Sequence, residues 1–393
     1  MLYIKSNLSN TKWLQYLMEE FCRIEQAEFE FQIVDISLDT RDAPFININR
    51  DRLEENTFYL TFLTLSRKEE YIREISGKLI QSYSHNHPDE NRDWSIPVVS
   101  QFFKKLKFEL QQTYPALKFK EESKPILELS HDLDYIKKTL PLRLKQSTFN
   151  LFNAIKYKSP NKLKKAIQFL LMPSDYWCFD YWRKLESEVN IKSIFYVYAK
   201  SGSANFKQWL FDPSYNVSEN KALQRELKDM IENGWEIGLH GSFFSANDED
   251  QLRLEKNLLE KAIGTKVTKT RQHWLRYEER ATPFIHEQLF DQDSTIAWNN
   301  KIGFRAGIAN KYRPYNHKED RPFKHFIVPQ IIMDSNIYDY GYGKEETIIN
   351  ESQKLLETCK SLGNSHVSIS WHPRTCSKDY NWQGAYEKLL SEW

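Results

Sequence analysis

Two carboxylates one residue apart, Asp132 and Asp134, close an apolar run that begins at Ile126. In an extended chain, side chains at i and i+2 share a face, so both acids point into one site. Neighbouring carboxylates repel unless a cation or a proton sits between them. The pair therefore suits one metal ligand beside one general base. Downstream, His240, the Arg271-Gln272-His273 cluster and His372 each end a similar strand-like run. A neutral imidazole at His240, just before Gly241, can bind a divalent metal. Arg271 and His273 share a face by the same spacing, and an arginine can hold a carboxylate base bidentately and keep it ionised. His372 stands before Pro373, which ends its strand, and has the chemistry of a general acid. Asp293 is the candidate to orient and charge its ring. His131 lies on the face opposite the acid pair and reads as a structural histidine of the barrel wall.

The elements that must position these groups alternate strand-like and helix-like patterns from about residue 121 to 393. Strands are expected at 126–130, 191–198, 235–239, 267–272, 294–298, 326–332 and 367–371. Helices are expected at 177–188, 219–233, 248–263, 283–290 and 344–361. This order argues for a parallel α/β fold, most simply a distorted (β/α) barrel of seven or eight strands. In such a barrel the C-terminal strand ends carry the chemistry. Trp274 and Arg276, with Trp371, are candidates to line a sugar site, because tryptophan offers an apolar face with a polar edge. Residues 1–120 read as a separate small α/β unit. There 12–25 is helical, 28–34 and 45–49 are strands, and 56–65 is apolar and β-prone. Ser66 would cap a helix with Glu69 completing a capping box, and 97–113 is a helix. His85 and His87 fall in a polar stretch that reads as a solvated loop.

Composition narrows the classes. The chain has 393 residues and a net charge of +1, so the electrostatic footprint of a nucleic-acid binder is absent from its totals. A local basic stretch, Lys156, Lys158, Lys162, Lys164 and Lys165, reads as a solvated helix face. The four cysteines form no C-x-x-C pair and fit a cytoplasmic protein with reduced thiols. The N-terminal residues lack the apolar core of a signal peptide, and no apolar run is long enough to span a membrane.

In order, Ser130-His-Asp-Leu-Asp134, Glu236-Ile-Gly-Leu-His240, Thr270-Arg-Gln-His273, Asp293-Ser-Thr295 and Ser370-Trp-His-Pro373 resemble the five motifs of the NodB-homology polysaccharide deacetylases. The likeness covers about residues 125–375 and is greatest to the branch found with bacterial surface-polysaccharide genes. Phe62 to Tyr71 also resembles the accessory N-terminal domain of that branch. The resemblance implies a hydrolase that removes acetyl groups from a sugar with a divalent metal, commonly Zn2+, with Co2+ or Ni2+ as alternatives. It implies Asp132 as general base, Asp134 and His240 as metal ligands, Arg271 holding the base, and His372 as general acid tuned by Asp293. One position departs from the family pattern. Where the second motif usually has another histidine, this chain has Phe244, which cannot bind metal. His273 is the favoured substitute, with Ser245, Asn247 or a water as alternatives. The substitution also leaves room for a metal-free amidohydrolase or a non-catalytic glycan-binding protein. A glycosyltransferase built on Asp132-Leu-Asp134 would leave the arginine and histidine motifs without roles.

Overall fold

A computed structural model gives the structure of the chain and describes residues 1–39, 43–84, 87–156, 158, 160–200, 206–340 and 343–393. His85 and the side chains of Lys156, Lys162 and Lys165 lie outside the described residues.

The N-terminal part is built on a three-stranded parallel sheet of β1 (Leu2–Ser6), β2 (Phe31–Asp35) and β3 (Phe45–Ile48), in the order β2-β1-β3. Helix α1 (Lys12–Ile24) lays Leu14, Leu17, Phe21 and Ile24 on one stripe and buries it. The expected β-prone stretch is instead helix α2 (Thr57–Leu65). Asn56 accepts from the backbone N–H of Phe58 at 2.9 Å, and this cap starts a helix that buries Thr61, Phe62 and Leu65. Ser66 is not the N-cap of the next helix. It ends α2, and Arg67 takes the left-handed conformation (φ 52°) that separates α2 from α3 (Lys68–Ile75). His87 is not solvated either. It is buried with its ring 4.8 Å from that of Trp94. Helix α4 (Val98–Thr113) completes this part.

The remainder is the barrel. Its strands are β4 (Ile126–Leu133), β5 (Ile194–Tyr198), β6 (Glu236–Gly241), β7 (Lys269–Gln272) and β8 (Gln292–Asp293). A short hairpin, β9 (Tyr315–Asn316) with β10 (Arg321–Pro322), precedes β11 (Phe326–Ile327), β12 (Gln330–Met333) and β13 (His366–Ser370). The eight strands other than the hairpin pair in parallel in the order β11-β8-β7-β6-β5-β4-β13-β12. The two edges of that order are two halves of one run, 326–333, interrupted by Val328 and Pro329. Its first half pairs with β8 and its second half with β13, so the run closes the sheet into a barrel. Between β4 and β5 come α5 (Leu140–Lys156), α6 (Pro160–Leu171) and α7 (Phe179–Glu188). Of these, α5 is not among the expected helices, and α6 is anticipated only by the basic helix face at Lys162 to Lys165. Helices α8 (Phe206–Phe211) and α9 (Lys221–Glu232) precede β6, α10 (Glu249–Ile263) precedes β7, and α11 (Thr282–Leu289) precedes β8. Helices α12 (Asp334–Tyr338) and α13 (Glu345–Leu362) join β12 to β13, and α14 (Gln383–Ser391) follows. The expected strand at 294–298 does not form, because the strand there is only Gln292–Asp293.

One apolar cluster lies between the barrel and its helices, with Leu129, Val197, Leu239 and Ile369 on the outward faces of the strands. A second joins the N-terminal part to later chain: Leu17, Phe62 and Phe103 pack with Tyr277, Tyr312 and Ile327. Buried charges cross the same boundary. Arg67 pairs with Glu279, and Arg305 bonds Glu70 through two atoms at 3.2 and 2.7 Å. A buried charge is tolerated only when paired and hydrogen-bonded, so these contacts fix how the two parts meet. Among the described residues, no helix is long and apolar enough to cross a membrane.

Candidate metal and acid–base site

All the barrel strands are parallel, so their C-terminal ends open on one face. Strands β7, β6, β5, β4 and β13 are consecutive neighbours there, and they deliver the arginine, the histidines and both acids to one place.

Asp132 ends β4 buried, at 3% exposure. Its Oδ1 accepts from Arg271 Nη1 at 2.6 Å. Arg271 is fully buried and every nitrogen is used. Nε donates to the Ser294 carbonyl at 3.1 Å, Nη1 also to Ser370 Oγ at 2.9 Å, and Nη2 to Ser130 Oγ and Ser294 Oγ at 2.9 and 3.0 Å. The guanidinium also lies 4.3 Å from the Tyr196 ring centroid. Burial alone would raise the Asp132 carboxyl, but Arg271, then His240 and His372, outweigh it and lower it below its ordinary value. The contact to Asp132 is through one oxygen rather than the expected two, which leaves the other oxygen clear of the arginine.

Asp134, His240 and His273 present one ligand atom each within 4.8 Å of one another. Asp134 Oδ1 is 3.4 Å from His240 Nε2 and 3.5 Å from His273 Nε2. This oxygen is buried and takes no well-formed hydrogen bond. Each imidazole is turned by a contact at its other nitrogen. His240 Nδ1 donates to the Arg271 carbonyl at 3.0 Å, and His273 Nδ1 lies 3.2 Å from Asp212 Oδ1. An acceptor at Nδ1 keeps the proton there and leaves the Nε2 lone pair for a metal. Two imidazole nitrogens, one carboxylate oxygen and an orphaned buried acceptor fit a divalent ion with an open position. Ser245 and Asn247 are engaged elsewhere: Ser245 Oγ donates to the Ser242 carbonyl at 3.0 Å and Asn247 Nδ2 to Glu278 at 3.2 Å. Phe244 stacks edge-on against Phe243 and Phe211.

His372 follows β13. Its Nδ1 is 2.9 Å from Asp334 Oδ1, its backbone N–H donates to Asp334 Oδ2 at 2.8 Å, and its Nε2 is 3.3 Å from Asp134 Oδ2. Burial favours the neutral ring and Arg374 adds to that, but Asp334 and Asp134 outweigh both, and His372 is pushed up to about 10. The same Asp134 oxygen accepts from Arg374 Nη1 at 2.8 Å. Burial opposes the Asp134 charge, yet His372, Arg374 and His273 hold it well below the usual carboxylate range.

Asp334, not Asp293, is therefore the carboxylate on His372. The sheet order gives the reason: β12, which leads into Asp334, pairs with β13, whereas β8 pairs with β7 and β11. Asp293 instead accepts from the Thr295 backbone at 2.9 Å and faces His286 at 3.5 Å. Trp371 does not line the site. Ser370 and His372 share the inner face, so Trp371 points outward, fully buried, with Nε1 donating to the Trp382 carbonyl at 3.0 Å. His131 faces outward by the same alternation and bonds the Trp371 carbonyl at 2.6 Å and Glu186 at 2.7 Å. Trp274 is 41% exposed. Trp274 and Leu275 both have left-handed backbone, φ 59° and 51°, and this turn carries the Trp274 ring away from the core beside His273. Arg276 lies over the Phe243 ring at 4.6 Å and pairs with Glu278 at 2.5 Å, so its charge is already engaged.

Three residues of the site were absent from the sequence reading. Asp334 carries a legible signal, an acid directly after a strand, and Arg374 sits two residues beyond a strand-end histidine. Asp212 lies in a loop before Pro213 and carries none.

No family model matches the chain, and the search of curated proteins found no match. Among solved structures it is similar to a protein described as a polysaccharide deacetylase of Mycobacterium smegmatis, at 14% identity and TM-score 0.42, covering 70% of this chain and 85% of the other. It is similar to a carbohydrate esterase family 4 pseudoenzyme of Bacillus anthracis at 9% identity and TM-score 0.33, covering 69% and 61%. It is also similar to a protein of Bordetella bronchiseptica described as a polysaccharide deacetylase involved in O-antigen biosynthesis, at 12% identity and TM-score 0.31, covering 63% and 71%.

Proposed function

We propose that the chain is a metal-dependent hydrolase that removes acetyl groups from the sugar of a surface-glycan precursor, cleaving a C–N or ester bond in the cytoplasm. One observation carries this reading: Asp134, His240 and His273 converge within 4.8 Å, beside an arginine-held Asp132 and a carboxylate-held His372. A divalent ion held by Asp134, His240 and His273, zinc first and cobalt or nickel next, supplies Lewis-acid polarisation of the acyl carbonyl and acidifies a water.

The protein's own groups do the rest. Asp132 stays ionised beside Arg271 and takes the water's proton on the oxygen that Arg271 leaves clear. His372 carries a proton at neutral pH and gives it to the departing amine or alkoxide. Asp334 holds the ring so that Nε2 faces the site. The exposed face of Trp274 offers a sugar ring an apolar platform at the mouth.

The test is elemental analysis of the purified chain and of Asp134→Ala, His240→Ala and His273→Ala, followed by turnover of acetylated sugars. Near-stoichiometric metal in the parent and loss in all three variants is the expected result. Absence of metal after reconstitution with zinc, cobalt and nickel would overturn it. A second reading, a metal-free hydrolase or a glycan-binding protein, is favoured by Phe244 and by Arg374, which already places a cation on Asp134. Turnover that survives chelators identifies the first of these, and tight glycan binding without turnover the second.

A further inference from the structure

The hairpin of α5 and α6 leaves the catalytic face of the barrel six residues beyond Asp134. Its inner side is anchored. Lys138 Nζ donates to the Met172 carbonyl at 3.0 Å and to Asp379 at 2.8 Å, closing the two ends of the hairpin together. Leu142, Phe169 and Tyr176 pack beneath it.

Among the described residues, the outer side exposes large apolar side chains. On α5, Leu144, Phe152 and Ile155 are 52%, 61% and 71% exposed. On α6, Leu163, Ile167 and Leu171 follow one another at steps of four and are 43%, 51% and 68% exposed. Residues four apart share one face of a helix, so the α6 residues form a stripe rather than scattered surface leucines. The charge around it has one sign. From 137 to 172 the sequence holds eight lysines and one arginine and no Asp or Glu, in a chain whose total is +1. Exposed Lys137, Lys158 and Lys164 belong to that set. A polyanion such as RNA would satisfy the lysines but not the leucines. An anionic lipid surface satisfies both, because apolar side chains enter the acyl boundary while the cations meet the headgroups.

We propose that the α5–α6 hairpin docks the protein on an anionic lipid bilayer, with the mouth of the barrel at its surface. Docking goes beyond the proposed reaction and does not depend on it. Its corollary, that the acetylated glycan is lipid-anchored, does rest on that reading.

The experiment is co-sedimentation of the full chain with vesicles of phosphatidylcholine alone and of phosphatidylcholine mixed with phosphatidylglycerol. Sedimentation with the mixed vesicles only is expected, weakening roughly tenfold as salt rises from about 0.1 M to about 0.5 M. The double variant Phe152→Ser, Ile155→Ser and the single variant Ile167→Ser are expected to lose binding about tenfold with unchanged melting temperature and metal content. No binding to anionic vesicles, or equal binding by the variants, would overturn the proposal. So would a dimer in solution that these variants dissolve, since a second copy would then cover the stripe. A chain that binds vesicles but holds no metal leaves docking intact and removes only the proposed reaction.

Discussion

Asp132 and His372 are each fixed by a partner of opposite charge, Arg271 and Asp334. If the proposed roles hold, removing Asp132 or His372 should therefore cost rate rather than structure. Asp132→Asn is expected to lower kcat by about 10²–10⁴ with bound metal retained. The two aspartates around the acid separate cleanly. Asp334→Asn should slow turnover about as strongly as His372→Ala, whereas Asp293→Asn should leave kcat within a few-fold in folded protein. Equal loss from both substitutions would sink the assignment of Asp334. The strand-end residues were legible because a period of two brings every second side chain to one face, so Asp132, Asp134 and Arg271 could be aimed from spacing alone. The partner of His372 was not, because strand adjacency in the closed sheet decides it and adjacency is not written along the chain.

At the scale of elements, β5 and β6 lie so close that a Cβ built on Gly238 would stand 2.6 Å from the Tyr196 ring. Tyr196 is buried against Arg271, so the ring cannot retreat freely. Gly238→Ala is expected to destabilise the fold by about 1–3 kcal/mol and to loosen Arg271, read as a lower denaturation midpoint with reduced turnover. Helices α9, α10 and α13 were legible from their amphipathic period and lie within one to two residues of the expected ends. Helix α2 is not legible from periodicity, because Thr57 to Leu65 holds only apolar residues and threonine and such a run reads equally as helix or strand. Only the Asn56 cap marks it. The extent of the α5–α6 hairpin is hidden for a related reason: its leucines face outward as well as inward, so beyond the basic face at Lys162 to Lys165 no single face stands out.

At the scale of the whole molecule, two imidazoles are held where a proton is unwelcome: half-buried His317, against the N-terminal part, and buried His325, beside His286 in the barrel part. Burial depresses His317 to about 4 and, with His286 adding to it, His325 to about 3. Both folded values lie below the ordinary 6.5, so the unfolded chain binds more protons in between. Stability is then full above about pH 6.5 and falls as pH drops toward 4 and 3, by at most about 1.4 kcal/mol per unit for each ring. His325→Phe is expected to flatten that slope, because neither ring nitrogen of His325 has a hydrogen-bond partner to lose. A melting temperature that is level from neutral pH down to about 4.5 would refute this assignment. His317 stands where the N-terminal part meets later chain, its Nε2 2.8 Å from the Ser66 carbonyl, and the charge that acid places on its ring is disfavoured there by burial and by Lys68, so acid should loosen the N-terminal part first.

The core shared by Leu17, Phe62 and Phe103 with Tyr277, Tyr312 and Ile327 also sets a timetable. The ribosome makes one half of that core about two hundred residues before the other. At roughly 5–20 residues per second, the first helices wait roughly 10–40 s with their apolar faces uncovered. A gene cut near residue 120 is therefore expected to release two fragments that each expose part of that core, read as aggregation of either fragment expressed alone.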